Sequence, residues 1–175
     1  EVRLLLDRGG NAAMFAIPPN GDLDMSDPQL REFLVPIEGR TILVSDARSA
    51  IGLAMVKALC QAGAGLVVAG LAPPARTADT EQPAFIAPGV QTVPLDITDQ
   101  KSLSEALSKI AGPLDIVINT ARHPRDGGVS LGGNIVEQRH AFDVAAMGLM
   151  RLAQGVAPML AGRPHGAFVD ILSID

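Results

Sequence analysis

Thr41-Ile42-Leu43-Val44, followed by Ser45-Asp46-Ala47-Arg48-Ser49-Ala50-Ile51-Gly52, decides the fold of this 175-residue chain. The first four residues are a short run of the kind found in strands buried on both faces. The strand ends at Ser45 and a helix begins near Ala50. That helix, Ala50 to Ala62, is apolar on most sides, with Lys57 and Gln61 marking its wet stripe. Gly63-Ala64-Gly65 ends it. In a parallel α/β sheet the turn between such a strand and its helix is the natural phosphate site, because backbone N–H groups at the helix start point at whatever lies above them.

Toward the C-terminus the same alternation continues. Leu66-Val67-Val68-Ala69 reads as the next buried strand, Val90 to Leu95 as a third, and Lys101 to Ile110 as a helix opened by Thr98 or Asp99. Leu114 to Asn119 is a strand, Asn134 to Leu160 a long helix, and Gly166 to Leu172 a last strand. Strands alternating with helices imply βαβ units with right-handed crossovers. Pro73, Pro74, Pro83 and Pro88 interrupt the connection between Ala69 and Val90. An irregular crossover is expected there, with Phe85 and Ile86 tucked onto the sheet. Ala121 to Gly133 reads as a loop rich in glycine and charge.

Toward the N-terminus the pattern differs. Val2 to Leu6 and Ala12 to Ile17 are apolar runs joined by Asp7-Arg8-Gly9-Gly10-Asn11, which predicts a β-hairpin. A short helix is expected next, with Ser26 as N-cap, Pro28 in its first turn and Leu30, Phe33 and Leu34 on one face. Residues 1–38 thus read as an extension, hairpin plus short helix, ahead of a main domain over 39–175.

Composition narrows the function classes. The chain is 47% hydrophobic and 19% charged, enough to bury a core. A net charge of −5 without a basic run argues against nucleic-acid or anionic-membrane partners. No apolar run reaches bilayer length, and the first residues do not form a signal peptide, so no membrane insertion and a cytoplasmic location are expected. Cys60 is the single cysteine, which rules out an internal disulfide and a cysteine-based zinc site. His123, His140 and His165 show no ligand-like spacing, so no metal site is expected. There is no Tyr and no Trp.

The turn Ser45–Gly52 resembles that of the short-chain dehydrogenase/reductase family, which reads Thr-Gly-x-x-x-Gly-Ile-Gly at the same spacing. Asp96-Ile97-Thr98-Asp99 resembles the Asp-Val-Thr-Asp that lies against the adenine ring. Asp115-Ile116-Val117-Ile118-Asn119-Thr120-Ala121-Arg122 resembles the family's Asp-x-x-Val-Asn-Asn-Ala-Gly. Gly166-Ala167-Phe168-Val169-Asp170-Ile171-Leu172-Ser173 resembles Gly-x-Ile-Val-Asn-Ile-Ser-Ser. Together these matches cover residues 40–175 in order. The resemblance implies a three-layer, Rossmann-like, doubly wound parallel sheet with strand order 3-2-1-4-5-6-7, here stopping after the fifth strand. It also implies a site for NAD or NADP, built from Asp46, Arg48, Ser49, Ile51, Gly52, Asp96, Ile97, Asn119 and Ala121.

The departures carry as much weight. Asp46 and Ala50 replace the first two turn glycines. Asp46 either faces a pyrophosphate with a like charge or simply caps the helix. Arg48 offsets that acid or clamps it. Gly52, the remaining glycine, serves helix–strand packing. Asp96 is a turn residue or an adenine contact, and Asn119 is expected to tie neighbouring loops. Gly70-Leu71 supplies neither the acid that selects NAD nor the arginine that selects NADP. Ser173 aligns with the family's catalytic serine and Asp143 with its helix asparagine, but the Tyr-x-x-x-Lys proton donor has no counterpart before Asp175.

Two function classes follow. The first is a degenerate member, not competent for hydride transfer alone, that works as a structural or interaction subunit with weak or absent nucleotide binding. The alternative is the front half of an NAD(P)-dependent oxidoreductase completed elsewhere. In the family the fifth strand is internal and the long helix pairs with a following helix. Val144, Met147, Leu152, Val156, Met159 and Leu160 are therefore expected to lack part of their cover. A homo-oligomer, a partner protein or the N-terminal hairpin is expected to supply it.

Overall fold

A computed structural model describes residues 2–6, 12–16, 37–73, 88–122 and 134–171. The chain separates into two compact units, Glu1–Pro36 and Ile37–Asp175. The first contains an antiparallel hairpin, β1 (Val2–Leu6) and β2 (Ala12–Ala16), paired from Val2 with Ala16 to Leu6 with Ala12. The helix expected after Ser26 lies outside the described residues, as do Phe85, Ile86 and the loop residues 123–133.

The second unit follows the expected alternation: β3 (Thr41–Val44), α1 (Ala50–Gln61), β4 (Leu66–Leu71), β5 (Val90–Pro94), α2 (Gln100–Ser108) and β6 (Ile116–Asn119). After them come α3 (Ile135–Phe142), α4 (Leu149–Leu160) and β7 (Ala167–Asp170). The strands form one parallel sheet in the order β5-β4-β3-β6-β7. Counting from β3, this is the order 3-2-1-4-5 of a doubly wound Rossmann-like fold. The strand order reverses between β3 and β6, and the crevice outside their C-terminal ends is where ligands of such sheets bind.

The alternation of side chains along each strand divides the core. Ile42, Val44, Val67, Ala69, Ile116 and Ile118 pack with Val56 and Leu59 of α1 on one face. Leu43, Val68 and Val117 pack with Leu103 of α2 and with Leu152 and Val156 of α4 on the other. Both faces of the central strands are covered, which is why they read as continuous apolar runs rather than as alternation.

The long helix expected from Asn134 to Leu160 is present, but it is not regular throughout, because Asp143–Gly148 between α3 and α4 forms a π-helical turn. Wider turns of this kind interrupt helices without breaking them, and composition and period do not announce them. Nor do Val144, Leu152 and Val156 lack cover: they are 8%, 0% and 0% exposed, on the face turned to the sheet. Met147, also expected to lack cover, is 41% exposed, and Ile135, Val136, Phe142 and Met150 are further exposed apolar side chains of this ridge. Among the described residues no strand pairs with the outer side of β7, and no helix is long and apolar enough to cross a membrane.

Candidate functional site

The turn between β3 and α1 is held mostly by its own short polar side chains. Ser49 caps α1: its hydroxyl accepts the Gly52 N–H at 3.0 Å and donates to the Asp46 carbonyl at 3.0 Å. The helix-cap role considered for Asp46 therefore belongs to Ser49. Asp46 instead closes a smaller loop, accepting the Arg48 N–H on Oδ1 at 3.0 Å. Its backbone is fastened to the end of β6. The Asp46 N–H donates to the Thr120 hydroxyl at 3.1 Å, and that hydroxyl donates back to the Asp46 carbonyl at 2.9 Å.

Gly52 is buried with its Cα against this carbonyl, and a Cβ there would collide with the Asp46 oxygen. Gly52 therefore packs the helix against the turn backbone at Asp46 and Ala47 rather than against the strand itself. Among the described residues no non-glycine residue takes a positive φ, so Asp46 stands where the family has glycine without left-handed strain. Ala50 and Ile51, on the first turn of α1, are exposed.

A second network joins three strand ends. The Ser45 hydroxyl, 1% exposed, donates to Asn119 Oδ1 at 2.6 Å and accepts the N–H groups of Thr120 and Ala121 at 3.0 and 3.2 Å. Asn119 Nδ2 donates to Asp170 Oδ1 at 2.8 Å. Asn119 thus ties β3, β6 and β7 together, and Ala121 takes part through its backbone. Thr120, Ser45 and Asp170 were not singled out from the sequence. The signal that marks Asp170 is its place at the end of the last strand, level with Asn119.

The third part is a cleft of about 410 Å³ outside the ends of β4 and β5, lined by Arg48, Leu71, Ala72, Pro73, Thr92, Pro94, Leu95, Asp96 and Ser102. It brings Arg48 and Asp96 to one place. Asp96 Oδ1 accepts both the N–H and the hydroxyl of Thr98, at 2.8 and 2.7 Å, while its own N–H donates to the Ser102 hydroxyl at 3.0 Å. Asp96 is therefore a turn residue that also lines the cleft. Ile97 is 4% exposed, its side chain in the core with Leu95 and Leu103. Arg48 Nε is buried without a hydrogen-bond partner.

Burial pushes the Asp46 carboxyl above its ordinary pKa, opposed in part by the N–H groups of Arg48 and Ser49 and the Arg48 charge. Asp143 lies apart from this arrangement, in the π turn, ion-paired with Arg151 at 2.9 Å. It borders an open groove with Gln138, Arg139, His140, Phe142 and Met147. Ser173 lies outside the described residues. Among the described residues no group of His, Cys, Asp and Glu is arranged to hold a metal.

The sequence profile of the short chain dehydrogenases matches residues 40–175. The chain belongs to the short-chain dehydrogenase family. It is 33% identical to the L-xylulose reductase of Mesocricetus auratus over 144 residues, covering 78% of this chain and 54% of that protein. It is 34% identical to the D-erythrulose reductase of Gallus gallus over 138 residues, covering 77% and 53%. A solved short chain dehydrogenase from Burkholderia cenocepacia J2315, in complex with NADP, superposes with a TM-score of 0.65 at 27% identity, covering 78% of this chain and 54% of the other. The chain spans about half the length of these relatives.

The dinucleotide that short-chain dehydrogenases use tests the two halves of the site differently. The cleft suits an adenosine, with apolar walls from Leu71, Pro94 and Leu95 and polar groups from Thr92, Asp96 and Ser102 at its edge. The phosphate turn carries Asp46 where the family has its first glycine. A carboxylate already holds the Arg48 N–H, and two like charges about 4 Å apart repel by about 4 kcal/mol at a protein-surface dielectric.

Proposed function

We propose that this chain is a short-chain-dehydrogenase Rossmann portion whose own residues do not carry out hydride transfer and which acts as a structural or oligomer-forming part of an assembly. The observation that carries this reading is the Asp46 carboxylate hydrogen-bonded into the phosphate turn. Three further facts agree with it. The sequence holds no tyrosine to protonate a developing alkoxide. Asp143, the remaining acid at a family site position, is engaged by Arg151. The outer side of β7 has no strand neighbour among the described residues, and Val169 on that strand is 40% exposed, which a second copy or a partner protein would cover. Calorimetric titration with NADH and NADPH at neutral pH tests the reading, with turnover and sedimentation measured on the same samples. Weak or absent binding, no ketone reduction and self-association are expected. A dissociation constant at or below the low micromolar range, or reduction abolished by Ser173→Ala, overturns it.

A second reading is favoured by Arg48. Its buried, unpartnered Nε and its place on the adenosine cleft suit a phosphate-bearing ribose. Under this reading the chain is the front half of an NADP-dependent oxidoreductase acting on a ketose or polyol, as its relatives' names suggest, with proton donor and substrate pocket supplied from outside these residues. Tight NADPH binding that is lost in Arg48→Ala selects this reading over the first.

A further inference from the structure

We infer that Asp46 is an internal competitor for the phosphate turn: ionised, it holds the Arg48 N–H and keeps a pyrophosphate-bearing nucleotide out, and neutralised it lets one in. The inference rests on the reading above, in which the turn is a disabled nucleotide site, and adds what disables it and what restores it.

The geometry leaves the carboxylate little freedom to withdraw. Its Oδ1 accepts the Arg48 N–H at 3.0 Å. Its N–H and carbonyl are both tied to the Thr120 hydroxyl, the carbonyl also takes the Ser49 hydroxyl, and the Cα of Gly52 closes the space behind. An anion entering at the start of α1 must take a donor that the chain's own anion already holds, and must do so beside a negative charge. The Arg48 guanidinium does not remove that charge by a hydrogen bond through its Nε, which is buried without a partner.

Among the described residues Arg48 is the charged group that acts on the carboxyl. The end of β6 presents the Thr120 hydroxyl, α1 presents the Gly52 backbone, and the end of β4 presents the Gly70 carbonyl, which accepts the N–H of Ala47 beside it. Burial raises the carboxyl above the ordinary aspartate value, so the neutral form is reached in milder acid than for a free aspartate. Protonation removes the repulsion and weakens the hold on the Arg48 N–H, while the Arg48 cation stays in place for the incoming phosphate.

The test is titration of the 175-residue chain with NAD⁺, whose pyrophosphate stays ionised throughout, at about pH 5 and about pH 8, where an ordinary aspartate is largely ionised. Wild type is compared with Asp46→Asn and Asp46→Gly, each checked for a cooperative melt. Wild type is expected to bind about tenfold more tightly at the lower pH. Both variants are expected to bind at the higher pH at least as tightly as wild type does at the lower, with little pH dependence. The inference is overturned if the pH dependence persists in the variants, or if they bind no better than wild type at the higher pH. Should one variant fail to fold, the other and the wild-type pH dependence decide. The outcomes separate the two claims. Tight wild-type binding at the higher pH removes the proposed function, whereas weak wild-type binding with unchanged variants removes only the role of Asp46.

Discussion

Two aspartates at opposite ends of the same sheet have opposite fates. Asp115 precedes β6 at the N-terminal end, and its side chain is 5% exposed. Its Oδ1 receives Nε and Nη2 of Arg163 at 2.9 and 2.7 Å, its Oδ2 receives the Thr41 N–H at 3.0 Å, and Arg40 stands 3.6 Å away. Burial alone would raise its pKa, but the Thr41 N–H and the two guanidiniums outweigh burial and hold it below the ordinary value. Asp46 follows β3 at the C-terminal end, where among the described residues Arg48 is the charge acting on it, and there burial wins. The contrast shows where this fold tolerates change. The N-terminal end is a paired cluster that joins β3, β6 and the turn before β7, so it serves stability. The C-terminal end is the ligand end of a doubly wound sheet, and there the departures from the family leave the strands in place.

The sharpest way to break the comparison is Asp115→Ala. It leaves the Arg163 guanidinium and the Thr41 N–H without their acceptor in a partly buried setting, so a loss of about 3 kcal/mol, the low end for a broken buried pair, is expected in urea unfolding. Because the folded pKa of Asp115 is lowered, its stabilising contribution is complete above the ordinary carboxylate range and is lost as pH falls through that range toward the folded value. The variant should lack that acid-side decline. A loss below about 1 kcal/mol would place the cluster among exposed ion pairs and remove the contrast.

A smaller effect is expected at the other end from Gly52→Ala. The new methyl meets the Asp46 carbonyl, a backbone oxygen pinned by Thr120 and Ser49. Relief requires moving α1 or the turn, and overpacking of this kind costs about 1–3 kcal/mol. Equilibrium unfolding measures it. A neutral substitution would mean that the turn yields easily, and that the fixed position assigned to Asp46 is wrong.

How much of this was legible in the sequence follows the range of the interactions. Thr41–Val44, Leu66–Ala69 and the helix from Ala50 are local patterns, and their residues alone place them on the sheet. That Gly52 packs closely was legible because its spacing from the strand is fixed by one turn, but its neighbour is the turn backbone rather than the strand. The Ser49 cap was missed because Asp46 and Ser49 are both good capping residues, and only geometry shows which oxygen reaches the Gly52 N–H. Asp115 was legible as a motif position but not as a buried ion pair, since Arg163 lies 48 residues away in sequence. The Ser45–Asn119–Asp170 chain depends likewise on strand order. The π turn at Asp143–Gly148 has no compositional mark.

The smallest effect, and the one that sharpens the comparison most, is the pH dependence of Asp46→Asn stability. The folded pKa of Asp46 is raised, so folding favours its protonated form. Its contribution to stability is therefore present below the unfolded value and lost as pH rises through the folded value, the reverse of Asp115. Asparagine has the same shape, keeps an oxygen to accept the Arg48 N–H and has no charge to bury. In acid, where Asp46 is neutral, the variant and wild type should melt together. As pH rises to neutral, wild type acquires a buried charge and the variant does not, so the variant should become the more stable by up to about 1 kcal/mol. Thermal melts across this range read the difference directly. A variant less stable than wild type at neutral pH would mean that the attraction of Arg48 outweighs burial at this carboxyl. The two ends of the sheet would then treat their aspartates alike.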